Sequence, residues 1–116
     1  MGSLGRMLEH KMPFYLFYCR DIEDRESAAQ IRRELLPDHL GYVERNMSRY
    51  AVAGPNRDKD AAYRSSTFVI KADSFAEADE VMQGDPYVEG GLYQEILNVE
   101  FVPMAGDWVG GAAWKL

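Results

Sequence analysis

Six consecutive residues, Phe14-Tyr15-Leu16-Phe17-Tyr18-Cys19, are all apolar or aromatic, and this run limits the available folds more than any other. Side chains in a strand point alternately to its two faces, so a strand with no polar position must be covered on both. A membrane-spanning helix needs roughly 20 such residues, about three times as many. A central strand is the reading that remains.

After a charged connection, Arg20 to Asp24, the apolar period becomes helical. Ala28, Ile31 and Leu35, then Leu36, Leu40, Val43 and Met47, recur three or four residues apart and predict amphipathic helix laid on a core. Pro37 suits the first turn of a helix, where its missing N–H would go unpaired anyway. The segment is therefore one helix kinked at Pro37 or two short ones. Tyr50-Ala51-Val52-Ala53 predicts a short second strand stopped by Gly54-Pro55, and Asn56 to Arg64 an exposed, charged loop. Thr67 to Lys71 is a third strand.

Ser74-Phe75-Ala76-Glu77 is a capping box: the Ser74 hydroxyl accepts from the Glu77 N–H while the Glu77 carboxylate reaches back to the Ser74 N–H. The helix it opens carries Phe75, Ala78, Val81 and Met82 on one face and stops at Gly84. Asp85-Pro86 then caps a single turn. Glu95 to Val102 alternates as the last strand until Pro103. The order is β-α-β-β-α-β, an α+β fold on the ferredoxin-like plan, with both helices on one face of a four-stranded antiparallel sheet. Its other face carries alternate residues of three apolar strands. A monomer seldom exposes so large an apolar patch, which predicts a homodimer joined through the sheet faces.

A chain of 116 residues is long enough for one core and too short for two. Residues 12–103 form the domain. Residues 1–11, without periodicity, read as a disordered extension or a cloning remnant, and 104–116 as a C-terminal extension that packs by Trp108 and Trp114. The net charge of -6 argues against nucleic acid, whose non-specific affinity comes from clustered Lys and Arg. The strand from Arg64 to Lys71 echoes an RNA-recognition motif, but Ser66 and Lys71 stand where stacking aromatics are needed. The lone Cys19 forms no internal disulfide. The first residues lack a signal peptide's apolar core, and Arg6 stands where myristoylation needs Ser or Thr. The expectation is a cytoplasmic protein with no membrane partner.

One cysteine and two distant histidines, His10 and His39, show no zinc or iron spacing, so neither metal nor cofactor is expected. Ser65 and Ser66 lack a nucleophile-elbow context. His39 with Asp85 remains. His39 borders the apolar stripe, three residues after Leu36 and four before Val43, with its ring along the edge of the buried face. A carboxylate hydrogen-bonded to one ring nitrogen would fix the tautomer that a general base needs. The bland alternatives are a packing histidine and an aspartate that merely caps Pro86.

Pro37-Asp38-His39-Leu40 after the first strand, Ala53-Gly54-Pro55, and Asp85-Pro86-Tyr87 with Gly91-Leu92-Tyr93 before the last strand together resemble the YciI-like (YCII-related) proteins over about Met12 to Pro103. The resemblance implies a ferredoxin-like fold paired into a dimeric α/β barrel, similar to muconolactone isomerase, with a His–Asp dyad in a cleft. His39 matches the family histidine and Asp85 the aspartate of the Asp-Pro-aromatic motif. The family often has a glycine beside a serine where this chain has Ser65-Ser66, so either serine is a candidate to face the cleft. One activity the resemblance implies is removal of chloride from a chlorinated hydroxyquinol. The expectation is thus a cofactor-independent lyase or isomerase acting on a small anionic molecule. His39 would move the proton, Asp85 would orient it, and Arg20 or Arg64 would hold a carboxylate; Ser65, Ser66 and Tyr87 are further substrate-binding candidates. The rival is a non-catalytic dimeric module that binds a small ligand in the same cleft.

Overall fold

The all-apolar run forms most of β1, Phe14–Asp21, an interior strand of a four-stranded sheet. The computed structural model describes residues 12–115; the expected extension at 1–11 lies outside them. β1 pairs antiparallel with β3, Tyr63–Lys71, and with β4, Tyr93–Phe101. β2, Tyr50–Arg57, pairs with β3 at one edge, so the sheet is ordered β2-β3-β1-β4. This is the ferredoxin-like strand order. Phe17 stands opposite Phe68 on β3 and Asn98 on β4, so Tyr15, Phe17, Cys19, Phe68 and Ile70 share the helix-covered face and are buried there.

β2 runs straight through Gly54-Pro55, which the sequence predicts as its stop. As an edge strand it is the place in a sheet where a proline is tolerated, and Pro55 pairs in register with Ser66. The expected loop from Asn56 to Arg64 shrinks to a tight turn. There the Asp58 carboxylate accepts from the Asp60 and Ala62 N–H groups at 2.8 and 3.0 Å.

A single helix, α1, spans Arg25–Arg45 with Pro37 in its interior rather than its first turn. Asp24 caps it by accepting from the Glu26 and Ser27 N–H groups. Pro37 leaves the Arg33 carbonyl without its helical donor. The predicted apolar positions meet the core in part: Ala28, Ile31, Leu35 and Val43 pack there, joined by Tyr42, whereas Leu36, Leu40 and Met47 are exposed. Leu36 and Leu40 border a cleft instead.

Helix α2, Phe75–Gln83, begins at Ser74, whose hydroxyl accepts from the Glu77 N–H at 3.2 Å. The returning arm of the expected box differs, because the Glu77 carboxylate accepts from the Asp73 N–H instead. Ala78, Val81 and Met82 are buried beneath it, while Phe75 lies partly exposed against Tyr15. Gly84 ends the helix with right-handed φ. Glycine is required there by crowding: a Cβ would run into the Tyr42 hydroxyl, which donates to the Val81 carbonyl at 2.8 Å. The short helix α3, Pro86–Glu89, follows, capped by Asp85.

The C-terminal extension is a small hairpin, β5 Ala105–Gly106 against β6 Gly111–Ala112. Its tryptophans do not pack as expected. Trp108 and Trp114 are exposed, and Val109 is the residue it buries. The sheet face away from the helices carries Tyr18, Val52, Leu97, Val99 and Phe101, all exposed. Among the described residues no helix is long and apolar enough to cross a membrane.

Candidate functional site

Between α1 and the β2–β3 edge of the sheet lies a cleft of about 760 Å³. Leu36, Leu40 and Val43 form its helix wall, Ala53 and Pro55 come from β2, and Phe68 is in its floor. The exposed half of the apolar stripe therefore lines this space. Its polar side chains include His39, Asp21, Ser66 and the arginines Arg25, Arg32, Arg33 and Arg64.

His39 Nδ1 lies 2.8 Å from Asp85 Oδ1. Asp85 is wholly buried and its Oδ1 also accepts from the Tyr87 N–H at 2.9 Å, so one oxygen both caps α3 and meets the imidazole. With the carboxylate ionised, Nδ1–H is the donor. Nε2 makes no hydrogen bond among the described residues and borders the cleft. The ring is clamped: Tyr87 stacks on it at 4.0 Å and 13°, and Phe68 meets it edge-on at 6.3 Å. Among the described residues Asp85 Oδ2 is buried without a partner, as is the Tyr50 hydroxyl. Burial first, and the Asp85 charge next, push the Tyr50 hydroxyl above the usual tyrosine range.

A second polar group, unanticipated in sequence, is Arg32. Its Nε and Nη2 donate to the two oxygens of Asp21, each at 2.8 Å, a bidentate pair whose side chains are only 14% and 4% exposed. Nη2 also reaches the Ser66 hydroxyl at 3.3 Å. The signal that would have found Arg32 is its spacing. It precedes His39 by seven residues, two helical turns, and so shares its face.

The sequence profile of the YCII-related domain matches residues 13–102. The chain belongs to the YCII-related domain family. No curated protein matches it. Among solved structures, this YCII-related chain is similar to the 5-chloro-2-hydroxyhydroquinone dehydrochlorinase of Burkholderia phenoliruptrix in complex with 2,5-dihydroxybenzoquinone. Identity is 22%, the TM-score is 0.67, and the match covers 80% of this chain and 95% of that one. An uncharacterized NIPSNAP domain protein of Burkholderia xenovorans matches at 14% identity and a TM-score of 0.47, over 81% and 96% of the two chains. At 22% identity the likeness to the dehydrochlorinase is one of fold.

Of the expected site residues, this YCII-related fold brings His39, Ser66, Arg64 and Tyr87 to the cleft wall and holds Asp85 beneath it. Between the two serines the strand decides. Ser66 shares the parity of Phe68 and faces the cleft, whereas Ser65 points to the opposite face, where its hydroxyl accepts from Asn56 at 3.0 Å. Arg20 is likewise on that far face, paired across strands with Glu95 at 3.3 Å and half-exposed, so it does not reach the cleft. Arg64 does, with its Nε engaged by Asp58 at 3.2 Å.

Proposed function

We propose that this YCII-related protein is a cofactor-independent enzyme of lyase or isomerase type. His39 is its general base and acid, and Asp85 is the residue that orients it. The observation that carries this reading is the 2.8 Å contact from His39 Nδ1 to the buried Asp85 carboxylate, made by a histidine that lines the cleft. A carboxylate on Nδ1–H leaves the lone pair on Nε2 and offsets the charge of the imidazolium that forms when Nε2 takes a proton. The proton comes from a substrate carbon or hydroxyl, and the bonding pair stays on the substrate. In a lyase that pair expels an anionic leaving group; in an isomerase the proton returns at another atom. A buried carboxylate oxygen with no partner is costly to keep, which favours a role for Asp85 beyond capping. Arginines at the cleft of an acidic chain suit an anionic substrate.

We also propose that a second copy covers the far sheet face, giving the dimeric α/β barrel that the resemblance implies. Turnover is tested with a panel of anionic hydroxy-aromatics and lactones. The chlorinated hydroxyhydroquinone acted on by the structurally similar dehydrochlorinase is the first member. Chloride release and C–H exchange in deuterated water, followed by proton NMR, are the readouts. The expected result is turnover of one compound, reduced about 100-fold or more in a folded His39→Ala variant. No reaction with any member of the panel would leave the cleft as a binding site and overturn the enzyme reading.

A further inference from the structure

Of the arginines at the cleft, Arg32 is the one the protein holds still. Arg25 and Arg33 are exposed, and Arg64 is drawn toward Asp58. Arg32 is fixed along one edge by Asp21 and at Nη2 by the Ser66 hydroxyl. Its Cζ faces the rings of Tyr63 and Tyr87 at 5.8 and 5.7 Å, inside cation–π range. A guanidinium carries five N–H donors, and three of them are engaged in this way. Nη1 makes no hydrogen bond among the described residues, and it is not one of the buried side-chain atoms left without a partner. Its two N–H groups therefore open on the cleft.

From this we infer that Arg32, held by Asp21 and Ser66, is the subsite for a substrate carboxylate, and that it sets how the substrate lies against His39. This rests on the cleft being a small-molecule site but not on catalysis. Arg32 and His39 lie on one face of α1, two turns apart, and both approach the same Tyr87 ring, His39 at 4.0 Å and Arg32 at 5.7 Å. Two helical turns separate them by roughly 10 Å along the helix axis, about the length of a single-ring carboxylate with a hydrogen bond at each end. An oxygen accepting from Nη1 leaves a flat, compact skeleton running along the α1 wall of the cleft toward His39. The ligand class is a carboxylate on a single-ring or similarly short planar frame.

Benzoate and benzamide, equal in shape and different in charge, are the probes, and the Tyr87 and His39 ring signals in two-dimensional NMR are the readout. Benzoate is expected to shift both rings of the wild-type protein and to bind about tenfold or more tightly than benzamide. Arg32→Gln alone leaves Asp21 buried and unpaired, which risks the fold. The double variant Asp21→Asn/Arg32→Gln removes both charges together and is expected to bind the two probes alike. Arg20→Gln, on the far face, should keep the preference for benzoate. Equal wild-type affinities, no shift at either ring with millimolar benzoate, or a benzoate preference that survives in the double variant would each overturn the subsite. The outcomes separate cleanly from those of the enzyme reading. Charge preference without turnover keeps the subsite and removes the general base, and turnover without charge preference does the reverse.

Discussion

Cys19 is fully buried on the helix-covered face of β1, and burial together with the charges of Asp85 and Asp21 pushes its thiol up to about 12. The unfolded chain releases that proton near 9.0, so between these values the native state binds more protons and stability falls as pH rises. We expect the wild type to lose up to about 1.4 kcal/mol per pH unit across this window, with a shallower slope in Cys19→Ala. Parallel slopes in urea titrations at pH values on either side of 9 would argue against it. Two other residues show how far single positions are legible. His39 and Asp85 stand out in sequence because each has a local signature, a helix edge and an Asp-Pro cap. Arg32 does not, because it sits beside Arg33 in a charged helix and its partner Asp21 lies eleven residues back. Its spacing from His39 marks a shared helix face, but its pairing with Asp21 depends on β1 and α1 meeting, which no local pattern encodes.

At the scale of elements, the capping residue of α2 gives a direct test. Ser74→Ala removes the acceptor for the Glu77 N–H and should lower stability by about 1 kcal/mol, leaving probe binding in the cleft unchanged. Thermal melts of the two proteins check this, and an unmoved midpoint would mean that the Asp73–Glu77 contact holds the helix start alone. That start was legible because a cap is a matter of three neighbouring residues. The extents of α1 and β2 were not. Proline is a helix and strand breaker by intrinsic preference, yet tertiary context carried Pro37 inside a 21-residue helix and Pro55 into an edge strand. The apolar stripe of α1 was legible as a stripe, but whether it meets a core or a cleft depends on how the helix is rotated over the sheet. Tyr42 and Leu35, packed against the core clusters, set that rotation.

For the molecule as a whole, strand and helix order sufficed to give the ferredoxin-like plan, since few topologies accommodate β-α-β-β-α-β in so short a chain. The far sheet face exposes Leu97 at 54% and Val99 at 55%, an apolar surface of the kind that a partner covers. Light scattering in dilute solution is expected to give twice the monomer mass, and Val99→Lys, which puts a charge onto that face, to give the monomer. A wild-type monomer at micromolar concentration would refute the pairing. Asp85 meanwhile serves two masters, the first turn of α3 and the imidazole of His39. Descent should therefore treat the two partners unequally. If the cleft performs the proposed reaction, folding alone retains the aspartate while chemistry adds the pressure on the histidine, so lineages that abandon that reaction would drift first at the histidine and keep the Asp-Pro turn as its fossil.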